Sequence, residues 1–374
     1  MARLTTVLAV NAGSTTLKLS VVTPQEAVTA ATTVDPWDGD EGPVAGFLEE
    51  VGGIAAIGAV AHRVVHGGPE GSGPELVDED VVARIAGLTP LAPLHQSRAL
   101  AAVRAVARIA PDVPAVACYD TAYHATLPEA ARAYAVPEEW VRRWGLRRYG
   151  FHGLSHAHAA RRAAEMTGAG DVRVVSAHLG SGASLCASHS GRSVDTTMGF
   201  TPLEGLVMAT RSGTVDPGLV LWLWRQGLGV DEVTRGLEGE GGLAALAGRG
   251  GDMRLVVEAA GAGDDRAALA VDVWLHRLVR EAGAMAAVLG GVDAFVFTGG
   301  IGEHQPGLRS AVAARLSHLG LDLDEAANRS GTGDRDLSTR SARCRMLVVE
   351  AHEDLEMARQ ARALLAGPGE DGVS

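Results

Sequence analysis

One plan occurs twice in this chain. Residues Thr6 to Val22 (TVLAVNAGSTTLKLSVV) form an apolar β run, a small polar turn and a second, alternating β run. Residues Val172 to Ala187 (VRVVSAHLGSGASLCA) repeat that order. Each reads as a hairpin whose tip is Gly, Ser and Thr. A unit found near the start and again near the middle predicts two duplicated halves. Length agrees, because 374 residues exceed what a single hydrophobic core serves.

Between the hairpins, helical periodicity over Asp80 to Ala86 and Ser97 to Ile109 alternates with short apolar strands such as Ala115 to Cys118. Asp293 to Gly302 (DAFVFTGGIG) reads as a buried strand running into a glycine-rich turn, followed by a helix over Gly307 to Leu319. Asp354 to Leu365 predicts one amphipathic tail helix, with Gly367 to Ser374 frayed beyond it. Alternating strands and helices imply an α/β architecture.

Charge narrows the partners. A net charge of −12 argues against nucleic acid or an anionic membrane as the main partner, though local arginines can still hold a small anion. The three cysteines share no metal-ligand spacing, which suits a reducing compartment without a disulfide framework. Met1 to Val10 begins like a signal peptide, but Asn11-Ala12-Gly13-Ser14 interrupts the apolar run too early for export. Ala282 to Ile301 contains Asp293 and several glycines, so it reads as helix, turn and strand rather than a membrane span.

Several short stretches concentrate polar chemistry. In the first hairpin tip, the hydroxyls of Ser14 and Thr16, the backbone freed by Gly13 and the charge of Lys18 could hold phosphate oxygens, or simply close a turn. The segment lacks the spacing of a P-loop. Arg63 lies inside an apolar β run, where it needs an anionic partner, either an internal carboxylate or a ligand. Asp120 follows the strand Ala115 to Cys118, a usual place for a catalytic acid and also for a helix cap. Arg147 to His156 (RRYGFHGLSH) crowds two arginines, two histidines and two glycines into ten residues. Asp195 to Pro217 carries little periodicity and few charges besides Arg211, as expected of a loop ordered to build a site.

The ordered series NAGSTTLK, HRVVHGG, PLAPLH, YDTAYH, RRYGFHGLSH, HLGSGAS, DTTMGFTPLEGLVMATRSG and FTGGIGE resembles the acetate kinase family from Asn11 to Glu353. The resemblance implies an α/β protein of duplicated actin-like (ribonuclease H-like) domains with the active site in a cleft between them. The hairpin repeat divides the chain into 1–148 and a nucleotide-binding half at 149–354, and the resemblance returns the tail, 355–374, to the first domain. The implied reaction is reversible, direct in-line phosphoryl transfer from ATP to acetate, with Mg²⁺ (or Mn²⁺) as cofactor, in a cytoplasmic homodimer.

By the same resemblance, Arg63 and Arg211 would bind the carboxylate and the migrating phosphoryl group. His152 and Arg211 would stabilise the transition state, with Asp120 as the active-site acid, here read as orienting an arginine or a metal-bound water. Asn11 and Glu353 would hold the metal. Val65, Leu94, Phe151 and Pro202 would line the acyl pocket. Ser14, Thr16, Lys18, His178, Leu179, Gly180, Ser181 and Gly182 would meet phosphates. Asp252, Met253 and Arg254, with Gly300, Ile301, Gly302, Glu303 and His304, would meet the nucleoside.

The chain departs from the family pattern at Ser181, His304 and His352, where asparagine is usual, and at Thr214, where aspartate is. Three other readings remain: a propionate or other short-chain carboxylate kinase, a non-catalytic ATP-binding regulator, and an actin-like filament protein. A carboxylate is ionised at neutral pH, with a reference pKa of about 4, so attack on a phosphoryl group needs no general base.

Overall fold

The computed structural model describes residues 5–13 and 15–367, without the side chains of Pro93 and Leu94. The expectations for Met1 to Arg3, for Ser14 and for the frayed tail beyond Gly367 fall outside them, as does the pocket contact expected of the Leu94 side chain.

Two six-stranded sheets carry the chain. The first comprises β1 (Val7–Ala12), β2 (Leu17–Val22), β3 (Val28–Val34), β4 (Ala59–Val64), β5 (Glu75–Leu76) and β6 (Ala115–Tyr119). The second comprises β7 (Arg173–Leu179), β8 (Ala183–His189), β9 (Arg192–Thr196), β10 (Ala294–Thr298), β11 (Arg335–Asp336) and β12 (Arg345–Val348). Their orders are β3-β2-β1-β4-β6-β5 and β9-β8-β7-β10-β12-β11, the same topology written twice. In both, the first three strands are antiparallel, the next two run parallel to the first, and a two-residue strand closes the far edge antiparallel. The two hairpins read from the sequence are the pairs β1–β2 and β7–β8, with Asn11 opposite Lys18 and Leu179 opposite Ala183.

Both faces of the central strands are covered, so apolar residues dominate them. β10 (AFVFT) is buried at every position. In the first sheet, Leu8 and Val10 pack with Trp37, Phe47 and Val106 on one face. Val7, Ala9 and Ala61 pack on the other against Met357, Ala358 and Ala361 of the tail helix Glu353–Ala366. The amphipathic tail thus returns to the first sheet.

The chain forms two compact units: Met1–Ala125 with Phe151–His158 and His352–Ser374, and Thr126–Gly150 with Ala159–Ala351. Their limits differ from the division at 148/149. Residues 126–150 stay with the second sheet because Arg148 donates to the carbonyls of Thr196, Thr197 and Met198, and the amides of Tyr149 and Gly150 donate to Gly199 O. Phe151–His158 joins the first unit, where Gly153 N donates to Asp120 O at 2.8 Å. Among the described residues no helix is long and apolar enough to cross a membrane.

Candidate active site

In the first unit the polar groups converge on Arg63. β4 places it where the parallel strands β1 and β6 end beside it, so Asn11 and Asp120 come from its two neighbours in the sheet. Arg63 Nε donates to Asp120 Oδ1 at 2.9 Å and its NH2 to Oδ2 at 2.7 Å, a two-pronged carboxylate pair. NH1 donates to Asn11 Oδ1 at 3.2 Å and lies 3.1 Å from Glu353 Oε2. Asn11 Nδ2 donates to that same Glu353 oxygen at 2.9 Å. Burial works against the charge of Arg63, but Asp120 and Glu353 overcome it and raise its pKa above the ordinary value. Asp120, 1% exposed, therefore orients an arginine.

Asn11 and Glu353 were expected to hold a metal. They supply hard oxygen donors one hydrogen bond apart, which suits Mg²⁺, an ion that keeps much of its water. No group of three or more His, Cys, Asp or Glu among the described residues could cage an ion. The donor set thus fits a hydrated ion completed by water and phosphate oxygens.

His152 sits beside this cluster in the chain with a φ of 57°, a left-handed backbone uncommon for a residue with a side chain. Gly153 explains the turn. A Cβ there would overlap the carbonyl oxygen of Asp120, so only glycine lets the helix Gly153–Thr167 start against the end of β6. Phe151 is buried, its ring edge-on to His66 at 5.5 Å, and Val65 is buried on the same unit. His66 is set by Gln96, whose Oε1 accepts from its amide and whose Nε2 donates to its carbonyl. Thr16 closes the first hairpin, its carbonyl accepting from Gly13 N at 2.7 Å. Lys18 is exposed on β2.

The second unit contains a cavity of about 480 Å³. Eight anticipated residues line it: Gly180 and Ser181 at the tip of the second hairpin, Asp252, Met253 and Arg254, and Gly300, Ile301 and His304. Ala209, Gly251 and Gln305 complete the wall and were not anticipated. Gly251 carries a usable signal, since a Cβ there would overlap Ala209 O. His178, Leu179, Gly182, Gly302 and Glu303 are absent from the lining. Leu179 is buried in the strand, and Gly182 O instead accepts from Gly180 N at 2.9 Å, shaping the tip. Asp252 Oδ1 accepts from Arg254 N and Nε, so this acid caps its own helix, Met253–Gly261.

The long loop is packed rather than loose. Of residues 197–215, only Thr210 and Thr214 are exposed. Arg148 and Tyr134 both bond Glu204, and Gly199 fits against Glu204 and Tyr134 where a Cβ would collide. Within this frame Arg211 NH1 donates to Pro202 O at 2.8 Å. Among the described residues Arg211 has no carboxylate at ion-pair distance. Burial lowers its pKa, with Glu238 acting weakly the other way. A half-buried guanidinium without a counter-ion is costly and fits an anion-binding position.

The profile described as "Acetokinase family" matches residues 47–359. An acetate kinase from a Synechococcus species is 47% identical over 315 residues, 84% of this chain and 78% of the relative. One from Deinococcus radiodurans is 46% identical over 337 residues, 89% and 85% of the two chains. The solved acetate kinase of Porphyromonas gingivalis superposes with a TM-score of 0.89 at 32% identity, covering 96% of this chain and 100% of that one. A propionate kinase from Francisella tularensis superposes at 0.88 with 31% identity, covering 95% and 98%. The doubled sheet is that of the actin-like ATPase class, and this chain belongs to the acetokinase family.

Proposed function

We propose that this protein is an acetate kinase, transferring a phosphoryl group reversibly from ATP to acetate to give acetyl phosphate and ADP. The observation that carries the reading is Arg211, a half-buried cation with no ionised partner among the described residues. Phosphoryl transfer asks for positioned positive charge on the equatorial oxygens, and a guanidinium held in place supplies it without reorganisation. Arg63, forked on Asp120, would hold the carboxylate of the acid, and His152 would donate to the migrating group. Val65 and Phe151 would meet the methyl group.

A bound Mg²⁺ would neutralise phosphate charge, and Asn11 and Glu353 would be its protein donors. The cavity at Ser181, Asp252 and His304 would take the nucleoside. Thr16, Lys18 and His178 would assist the phosphates. We further assign the two compact units as the two domains of the duplicated fold, the second holding nucleotide.

A homodimer is proposed for the second unit. The helix Pro217–Arg225 (PGLVLWLWR) is apolar, yet none of its residues is buried and Trp222 is 54% exposed. A cytoplasmic setting agrees with three free, buried thiols.

Propionate remains the alternative substrate, because one methylene is worth only about 1–3 kcal/mol of discrimination in an apolar pocket. The test is a panel of acetate, propionate, butyrate and glycerate with ATP and Mg²⁺, read as acyl hydroxamate. Acetate should give the highest kcat/KM, and EDTA should abolish turnover. Turnover of none of these acids, or full activity in EDTA, overturns the reading.

A further inference from the structure

The helix Gly299–His304 has six residues, too few to hold its own shape, yet Gly300, Ile301 and His304 of that helix form part of the cavity wall. Glu303 on the same helix points elsewhere. Its Oε1 accepts from Gly299 N at 2.9 Å and from Ala351 N at 3.0 Å. No ion pair of Glu303 occurs among the described residues. We propose that Glu303 is a positioning residue for nucleotide binding, a carboxylate clip that fixes the cavity-lining helix and does not itself touch the ligand. The inference rests on the reading of the cavity as the nucleotide site.

Each bond of the clip reaches a different part of the wall. Gly299 has a φ of 76°, and a Cβ there would lie 2.8 Å from Leu179 O. Its backbone is therefore pressed on the end of β7, directly before Gly180 and Ser181 of the cavity lining. Ala351 belongs to the segment leaving β12, where Val349 N donates to Phe297 O at 3.0 Å and Glu350 N to Asp334 Oδ1 at 3.0 Å. One oxygen thus joins the helix start, the strand that feeds it and the exit of the neighbouring strand. Bonds from backbone N–H groups to an ionised oxygen are stronger than neutral ones.

The far end of the helix is held separately. Buried Arg309 donates from NH1 to Gly302 O and Glu303 O, both at 2.8 Å, while Nε and NH2 are taken by Asn328. Arg309 thus fixes the last carbonyls, and Glu303 ties the helix start to the segment leaving β12.

Because both bonds converge on one oxygen, the amide oxygen of glutamine can replace it. Aspartate is one methylene too short, and alanine offers no acceptor. The experiment titrates fluorescent methylanthraniloyl-ADP, with Mg²⁺, into wild type, Glu303→Gln, Glu303→Asp and Glu303→Ala, and measures KM for acetate in each. Glutamine should bind the probe within about threefold of wild type, and alanine and aspartate about tenfold or more weaker. KM for acetate at saturating nucleotide should stay within about twofold, a split that general loosening of the fold would not give. If alanine fails to fold, the contrast of aspartate with glutamine decides. Equal binding by wild type, alanine and aspartate overturns the clip alone, as does glutamine binding as weakly as alanine. A wild type that does not bind the probe overturns the nucleotide reading of the cavity, and the clip falls with it.

Discussion

Arg63 and Asp120 meet edge to edge across the parallel pair β4–β6, with Nε–Oδ1 at 2.9 Å and NH2–Oδ2 at 2.7 Å. The geometry uses two of the five N–H donors of the guanidinium and leaves NH1 directed at Asn11 and Glu353. Asp120 thereby fixes the plane of Arg63 and needs no proton of its own. Asp120→Asn keeps the shape but replaces one accepting oxygen by an N–H group facing Arg63. Misplacing a positioning group costs up to about 100-fold in rate, so kcat should fall by that order while the circular dichroism spectrum is retained. A hydroxamate assay checks it, and near-normal turnover would free Arg63 from dependence on Asp120.

Arg211 is the complementary case, a cation that the folded protein leaves without an ionised partner among the described residues. Removing such a group should cost activity and not stability. Arg211→Ala should lower kcat by about 100- to 1000-fold, the scale seen when a preorganised donor to transition-state charge is lost. Its Tm should match or exceed that of the wild type, since an uncompensated cation is destabilising before the anion arrives. Differential scanning calorimetry beside the kinetic assay reads both, and a large fall in Tm would make Arg211 a structural residue.

The architecture was legible because both hairpins show their period-2 pattern and their small-residue tips in the sequence, and the structure gives them the same place in each sheet. The second-unit cavity was anticipated at Ser181, Asp252 and Ile301 through the family resemblance of the segments that carry them. Ala209 and Gln305 were not, since neither residue type announces a role and both arrive through loop packing, Ala209 by donating its amide to Ser181 O. Glu303 shows the opposite failure. Its segment marks it as a nucleotide contact, but only coordinates reveal that its carboxylate turns to two backbone amides. The membership of residues 126–150 in the second unit was equally hidden, because it depends on Arg148 reaching carbonyls about fifty residues away.

The helix Pro217–Arg225 should lose its exposure in the assembled protein. Leu221, Trp222 and Trp224 are each 45–54% exposed, and burying an aromatic anchor against a second copy is the usual source of interface energy. Trp222→Arg should convert a dimer to a monomer in sedimentation velocity at micromolar concentration, without loss of helical signal. A wild type that sediments with the mass of one chain would remove the proposed interface.

His62 predicts an acid sensitivity separate from catalysis. It is 1% exposed on β4, between Val10 and Ala117 of the adjacent strands, and among the described residues neither ring nitrogen finds a hydrogen-bond partner. Burial lowers its pKa from 6.5 to about 4. The native state therefore resists a proton that the unfolded chain accepts, so between those values the unfolded state binds more protons and stability rises with pH. The contribution is intact above about pH 6.5 and is lost progressively as pH falls toward 4, by about 3 kcal/mol in all. Replacing the ring by an apolar side chain removes the titration, so His62→Leu should flatten the dependence of unfolding free energy on pH across that window. Urea melts of both proteins at pH 7, 6, 5 and 4 measure the difference. Parallel curves for wild type and variant would place the acid sensitivity in other groups and leave His62 a silent part of the core.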